Sequence, residues 1–217
     1  MTIKLVSVLV FNEGKEVQLE VELSQGENSD RRSFKMPRSI FESLGISEGE
    51  ITREDMTGIM DADERYRALK KAFDIIAYGR NSKKVLEDKL RHRGFSQQIS
   101  HDIAEYMKNH GYIDEDEDAT REVDVCVRKL WGSRRILMHL HQKGYGAETI
   151  NAAKEYMETI DFVDVCVKLV REKYKTLPKD EAERQKVIAA IIRHGFSMNE
   201  IKAAAKIIEY YRLPGDF

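Results

Sequence analysis

Residues 133–157 read SRRILMHLHQKGYGAETINAAKEYM. Ile136 and Leu140 stand four residues apart, and Gly144 follows four residues after Leu140. This is one apolar helical face closed by a glycine at the position that wants positive φ. Tyr145 comes next, a further helix is predicted from near Ala147, and Met157 lies thirteen residues past the glycine. The same phrase occurs upstream as Leu86, Leu90, Gly94, Phe95 and Met107, and downstream as Val187, Ile191, Gly195, Phe196 and Ile208. Glu105-Tyr106-Met107 recurs as Glu155-Tyr156-Met157. Phe73-Asp74-Ile75 matches Val123-Asp124-Val125 and Val163-Asp164-Val165. The Asp-to-Gly separations are 20, 20 and 31 residues, so the third copy carries an 11-residue insertion, marked by Leu177-Pro178. Internal repetition at this period means stacked helical units that share a continuous core.

Each copy reads as three helices. In the first, Leu69, Ala72, Phe73 and Ile76 give an i, i+3, i+4, i+7 stripe ended by Gly79. Asn81-Ser82 caps the second helix, and Ser96 starts a third that Gly111 ends. The second copy starts near Asp116 with an acidic first turn, and its middle helix starts at Ser133. Asp180 with Glu183 and Ser197 with Glu200 are capping boxes in the third. Tyr106, Tyr156 and the aromatics after each glycine fall on core positions by period. The predicted units are 65–112, 114–159 and 161–212, the last with its insertion near 172–182.

Residues 1–62 differ. IKLVSVLV (3–10) and EVQLEVEL (16–23) are strand-like, and Val17, Leu19, Val21 and Leu23 alternate onto one face. Asn12-Glu13-Gly14-Lys15 is the turn between them. Residues 24–33 read as polar loop and 34–36 as a short strand. Ile40, Phe41 and Leu44 fit a short helix ended by Gly45, and Thr52 with Asp55 caps another near 53–60. The predicted fold is mostly α: a tandem array of three three-helix units, elongated and curved, preceded by a small β-containing module.

The chain has 217 residues, 41% hydrophobic and 34% charged, which supports a packed core. No apolar run approaches membrane-spanning length, and the apolar N-terminus lacks a signal-peptide cleavage site, so a cytoplasmic protein is expected. Residues 1–64 hold 14 acids and 7 bases, whereas residues 65–217 hold 24 acids and 29 bases. This split suggests an anionic partner for the helical body. There is no GxxxxGK[ST], GxSxG, HExxH or CxxC motif. His139 and His141 are two apart on a helix and point away from each other, which is wrong for sharing a metal. Cys126 and Cys166 occupy matching apolar positions and read as core. Asp74, Asp124 and Asp164 read as locally paired helix positions, and 114–118 as an acidic helix start. Trp131 reads as a packing residue.

Five stretches are similar to the RecX family of regulators of the RecA recombinase. They are Arg80-Asn81-Ser82 with Leu86, Leu90 and Arg93-Gly94-Phe95; Gly111-Tyr112-Ile113-Asp114-Glu115; Gly132-Ser133-Arg134-Arg135-Ile136; Leu140-His141-Gln142-Lys143-Gly144; and His194-Gly195-Phe196. The resemblance covers residues 65–211 and departs at Asp118, where the family junction carries an aromatic before its Ala. It implies a non-enzymatic protein without cofactors. Such a protein binds RecA–single-stranded DNA filaments and limits recombinase and coprotease activity in recombination, DNA repair and the SOS response. A helical array can touch several protomers at once, so weak contacts add. A monomer is the simplest state, with single-stranded DNA as a further partner.

The basic residues that recur around the middle helices are the candidate filament- or DNA-binding set. They are Arg80, Lys83, Lys84, Arg91 and Arg93 in the first copy, Arg134, Arg135 and Lys143 in the second, and Arg193 in the third. They are expected along one edge of the array. A helix-turn-helix DNA-binding regulator is the alternative, but the starts of the third helices (Ser96-Gln97-Gln98, Gly146-Ala147-Glu148, Ser197-Met198-Asn199) are poor in Arg and Lys. A helical scaffold for an unrelated partner is the other.

Overall fold

The computed structural model describes residues 2–26, 28–178 and 180–210. It is mostly helical with an N-terminal antiparallel sheet, and it divides into two compact units. One is Met1–Gly79 with Leu86–Tyr112, and the other is Arg80–Val85 with Ile113–Phe217.

In the first unit, β1 (Thr2–Phe11), β2 (Glu16–Gln25), β3 (Asn28–Pro37) and β4 (Gly49–Glu50) form a sheet of order β3-β2-β1-β4. The β1–β2 hairpin pairs Ile3 with Leu23 and Val10 with Val17, with a bulge between Leu5 and Ser7. β3 corrects the sequence reading. The polar stretch taken as loop pairs with β2 along ten residues, Asn28 with Gln25 through to Pro37 with Glu16. Only Phe34 and Met36 of β3 are buried, so the ladder holds its outer half without an apolar pattern to announce it. Glu27 lies outside the described residues.

Short helix α1 (Arg38–Leu44) ends at Gly45 as predicted. α2 then runs unbroken from Arg53 to Ala77, where the pattern suggested one helix ending near residue 60 and another from 65. Its capping box forms in full: Thr52 Oγ1 accepts from the Asp55 backbone N–H, and Asp55 accepts from the Thr52 N–H. No Pro lies within α2, and good helix formers fill 59–72, so nothing stops it. Met56, Ile59 and Ala62 bury against Leu5, Val17, Leu19 and Met36 of the sheet. Further along, Ala68, Ala72 and Ile75 are buried and α2 packs on α4 (Gln97–Asn109). Of the predicted stripe only Ala72 is buried; Leu69 and Ile76 are half-buried. Phe73 is exposed and meets Tyr112 edge-on at 4.9 Å. α3 (Lys83–Arg91) supplies buried Leu86 and Leu90.

The second unit contains α5 (Glu115–Arg128), α6 (Ser133–Gln142), α7 (Ala147–Glu158), α8 (Phe162–Tyr174), α9 (Glu181–Arg193) and α10 (Met198–Tyr210). α5 packs on α7, and α8 on α10. One core joins Val123, Cys126, Ile136, Leu140, Val165, Cys166, Ile191 and Phe196. Both cysteines are free and fully buried, as predicted. Tyr106 and Tyr156 are not core: Tyr106 is exposed, and Tyr156 is half-buried, its hydroxyl donating to Asp124. Lys179, within the expected insertion, and residues 211 and 212 lie outside the described residues.

The glycine phrase folds alike three times. Gly94, Gly144 and Gly195 have φ of 90°, 77° and 100°. The following aromatic donates its backbone N–H to the aliphatic four residues before each glycine: Phe95 to Leu90, Tyr145 to Leu140 and Phe196 to Ile191. This is the Schellman helix end, and only the left-handed residue allows it cheaply.

Candidate functional site

Within the second unit, helix starts dock on helix ends. Ser82 Oγ donates to the Lys143 carbonyl at 2.7 Å, and the Lys84 stem lies over Gly144. One step on, Gly132 N–H donates to the His194 carbonyl at 2.8 Å and Arg134 N–H to the Gly195 carbonyl at 3.2 Å. Gly132 is the N-cap of α6 and has no side chain to fill its orphan donors, so the carbonyls of the turn after α9 do so. Of the predicted basic residues, Arg80, Lys83, Lys84, Arg134, Arg135, Lys143 and Arg193 lie in the second unit with these junctions, whereas Arg91 and Arg93 belong to the first.

Their states differ. Arg80 pairs with the largely buried Asp118. The Lys83 backbone N–H donates to the buried Glu115 carboxylate at 2.9 Å, so the acidic run is bound into the junction. Arg135 stacks its guanidinium 3.9 Å from the Trp131 ring centroid. Lys143 is held by Glu122. Lys84, Arg134 and Arg193 are exposed. Arg91 and Arg93, in the first unit, are also exposed; the Arg93 guanidinium donates to the Lys89 carbonyl at 2.9 Å.

A polar cleft of about 410 Å³ lies in the second unit, lined by Arg80, Asp118, Glu122, Arg128, Lys143 and Tyr145, among others. Sequence reasoning missed the group at its edge. Glu122 accepts from Lys143 Nζ and lies 3.2 Å from His139 Nε2. Burial pushes the Glu122 carboxyl up, but the Lys143 and His139 hydrogen bonds outweigh it and hold it below its usual range. Cys126 completes the group: Glu122, Cys126 and His139 bring one potential metal-ligand atom each within 4.8 Å of one another. Their spacing of four and then thirteen residues matches no motif, and only the α5–α6 packing brings them together. Lys143 already supplies the positive charge that a cation would bring to Glu122. His141 is exposed on α6 and does not join them.

Nucleophilic chemistry has little support here. Burial raises the Cys126 thiol, with Glu122 adding to it, and pushes Cys166 up to about 12. Burial likewise pushes Tyr145 up to about 12. The aligned aspartates are partnered: Asp74 with Lys71, Asp124 with Tyr156 and Asp164 with Lys168. What the geometry offers is cationic surface on rigid helix junctions.

No family model matches the chain. Relatives do. The regulatory protein RecX of Caldanaerobacter subterraneus is 26% identical over 176 residues, covering 81% of this chain and 88% of the relative. RecX of Bacillus subtilis is 25% identical over 188 residues, covering 83% of this chain and 70% of its own. RecX of Yersinia pseudotuberculosis reaches 31% over 107 residues, 49% of this chain and 58% of its own. A crystal structure of a regulatory protein RecX has the same fold, with a TM-score of 0.70 and 20% identity over 92% of this chain and 98% of that one. RecX from Lactobacillus salivarius gives 0.59 and 20% over 69% and 99%. The glycine turns and the junction residues agree with these relatives, and the chain is similar to RecX regulatory proteins over about four-fifths of its length.

Proposed function

We propose that this chain binds RecA–single-stranded DNA filaments and restrains RecA's recombinase and coprotease activities in recombination, repair and the SOS response. It acts in the cytoplasm, as a monomer and without catalysis. Likeness to RecX regulatory proteins supports the reading, and one observation carries it: cations recur at successive helix junctions, Lys84 over Gly144 and Arg135 beside Gly195. A partner that is itself a repeating polymer is matched by contacts that repeat. The helices form three copies of one three-helix unit after an N-terminal module, and two such cationic junctions follow one another along them. Arg80, Lys83, Lys84, Arg91, Arg93, Arg134, Arg135, Lys143 and Arg193 form the contact set. Lys84, Arg91, Arg93, Arg134 and Arg193 meet the partner directly, while Arg80, Arg135 and Lys143 shape the surface through Asp118, Trp131 and Glu122.

The test is titration into RecA assembled on single-stranded DNA with ATP, following ATP turnover and filament binding. Tight filament binding with falling turnover is expected. Binding to filaments no stronger than to naked DNA at the same salt rejects the reading.

A further inference from the structure

The first unit carries a cationic trough that the net acidity of residues 1–64 hides. β3 is an outer strand of the sheet, and α2 packs along it. Between them lies a trough of about 770 Å³ lined by Arg32, Phe34, Lys35, Asp63, Tyr66, Arg67 and Lys70, with Ser33. A second trough, about 430 Å³, is lined by Arg67, Lys70, Lys71, Asp74, Arg93 and Phe95. The two meet at Arg67 and Lys70.

Six cations therefore face this groove. The acids among them are Asp63 and Asp74, with Glu16 and Asp30 alongside. Asp63 accepts both the Lys35 backbone N–H at 2.8 Å and Arg67 Nε at 2.7 Å. Arg67 uses one donor on it and keeps the rest of its fork, with 59% of its side chain exposed. Lys70 is 60% exposed, its ammonium 4.4 Å from the Tyr66 ring centroid and 3.5 Å from Glu16. Lys71 pairs with Asp74 at 3.3 Å, and Arg32 with Asp30 at 3.0 Å. Arg67 and Lys71 are about one helical turn apart, roughly 6 Å of rise. The floor is largely apolar, built from Phe34, Tyr66 and Phe95.

We propose that this groove holds a single strand of nucleic acid. The cation row tracks its phosphates, and the apolar floor receives bases. Such a pairing of basic walls and aromatic surface is how single strands are held without sequence preference. A duplex keeps its bases stacked inside and would leave the floor unused. The proposal concerns naked strand, shares only Arg93 with the filament contact set, and gives the N-terminal module a function.

The test is anisotropy of a short fluorescent oligothymidylate with the full chain, over a salt series. Wild type binds, with affinity falling steeply as salt rises. Lys70→Glu with Lys71→Glu lowers affinity at least about tenfold and reduces the log–log salt slope by about two. Arg93→Glu, at an exposed position outside α2 and the sheet, lowers it as well. Lys202→Glu, exposed on α10 and outside both the groove and the filament contact set, leaves it unchanged. Circular dichroism verifies that each variant keeps its helix. No wild-type binding overturns the proposal, as does unchanged binding in both the double variant and Arg93→Glu. Loss of binding in Lys202→Glu instead, or competition by duplex DNA or polyglutamate equal to that of the unlabelled strand, overturns it too. Failure to inhibit RecA would leave this result untouched.

Discussion

Gly132 and Gly195 meet backbone to backbone: a Cβ built on Gly132 would lie 2.4 Å from the Gly195 carbonyl carbon. Neither neighbour is a flexible side chain, so an added methyl must push α6 off the turn after α9. We predict that Gly132→Ala lowers the unfolding free energy by about 3 kcal/mol. Gly94→Ala makes a control. Its φ is 90° but nothing lies within 4 Å, so backbone strain alone remains, about 1 kcal/mol. Urea denaturation of the two variants separates the effects. Equal losses would deny the close approach any energetic role.

Asp63 ties the sheet edge to α2 through one buried carboxylate serving two donors. Removing it leaves the Lys35 N–H facing a void and frees Arg67. Asp63→Ala is predicted to cost about 2 kcal/mol, the usual penalty for orphaning buried polar groups. Asp63→Asn keeps an acceptor for Lys35 and costs less. Reversing that order in denaturant midpoints would place the Asp63 contribution in its charge on Arg67 rather than in the bond to β3.

The helix ends were legible in the sequence because their chemistry is local. Glycine with positive φ at 94, 144 and 195, and caps at Thr52, Ser96 and Ser197, depend on residues a few positions apart. β3 was not, because residues 28–33 are exposed and held by β2, which local polarity cannot report. The unbroken α2 was missed for the opposite reason: its two halves bury different faces, so their stripes looked like two helices. The Glu122, Cys126, His139 and Lys143 group is tertiary and follows no spacing rule. Gly132 was visible as a residue of a family pattern, but its reason, the Gly195 backbone, lies 63 positions away.

Two partly buried groups of the second unit contribute to the acid response, in separate windows. Burial, then Lys173 and Arg135, hold His194 below its ordinary 6.5, and Lys173 donates to its Nε2 at 2.9 Å, which requires the neutral ring. A depressed folded value gives stability that is complete above 6.5 and is lost as pH falls toward the folded value. Glu122, held below 4.5, behaves likewise one step lower: its contribution is complete above 4.5 and lost beneath it. The melting temperature of wild type should therefore fall first just below pH 6.5 and again below 4.5. His194→Phe should remove the first step, and Glu122→Gln should make the second shallower, with Glu16, Asp55 and Asp102, also held below their ordinary values, carrying the rest. A single step common to all three proteins would contradict this assignment.

Both thiols are buried and raised, Cys166 to about 12, so neither supplies thiolate at neutral pH. A thiol-reactive disulfide reagent should label no cysteine in the folded chain and both in denaturant. Labelling of Cys126 under native conditions would mean that the α5–α6 core opens at the Glu122 and His139 side, since Cys166 is enclosed on α8 by the continuous core. Labelling that follows global unfolding with a single rate for both residues is the expected result.

Charge reversal at residues 134 and 135 looks from sequence like the natural probe of the basic set. The structure separates the two. Arg135 stacks on Trp131, and its own backbone N lies 2.6 Å from where a Cβ on Gly195 would stand, so Arg135→Glu disturbs the α6 junction as well as the surface charge. Arg134 and Arg193 are exposed. Arg134→Glu with Arg193→Glu is therefore predicted to keep the wild-type melting temperature within about a degree, as exposed substitutions do. The same pair should weaken filament binding about tenfold or more, with a shallower salt dependence. Arg135→Glu should lower both stability and binding. Full filament affinity in the Arg134 and Arg193 double variant would remove the exposed cations from the contact and leave the family resemblance as the sole support for that surface.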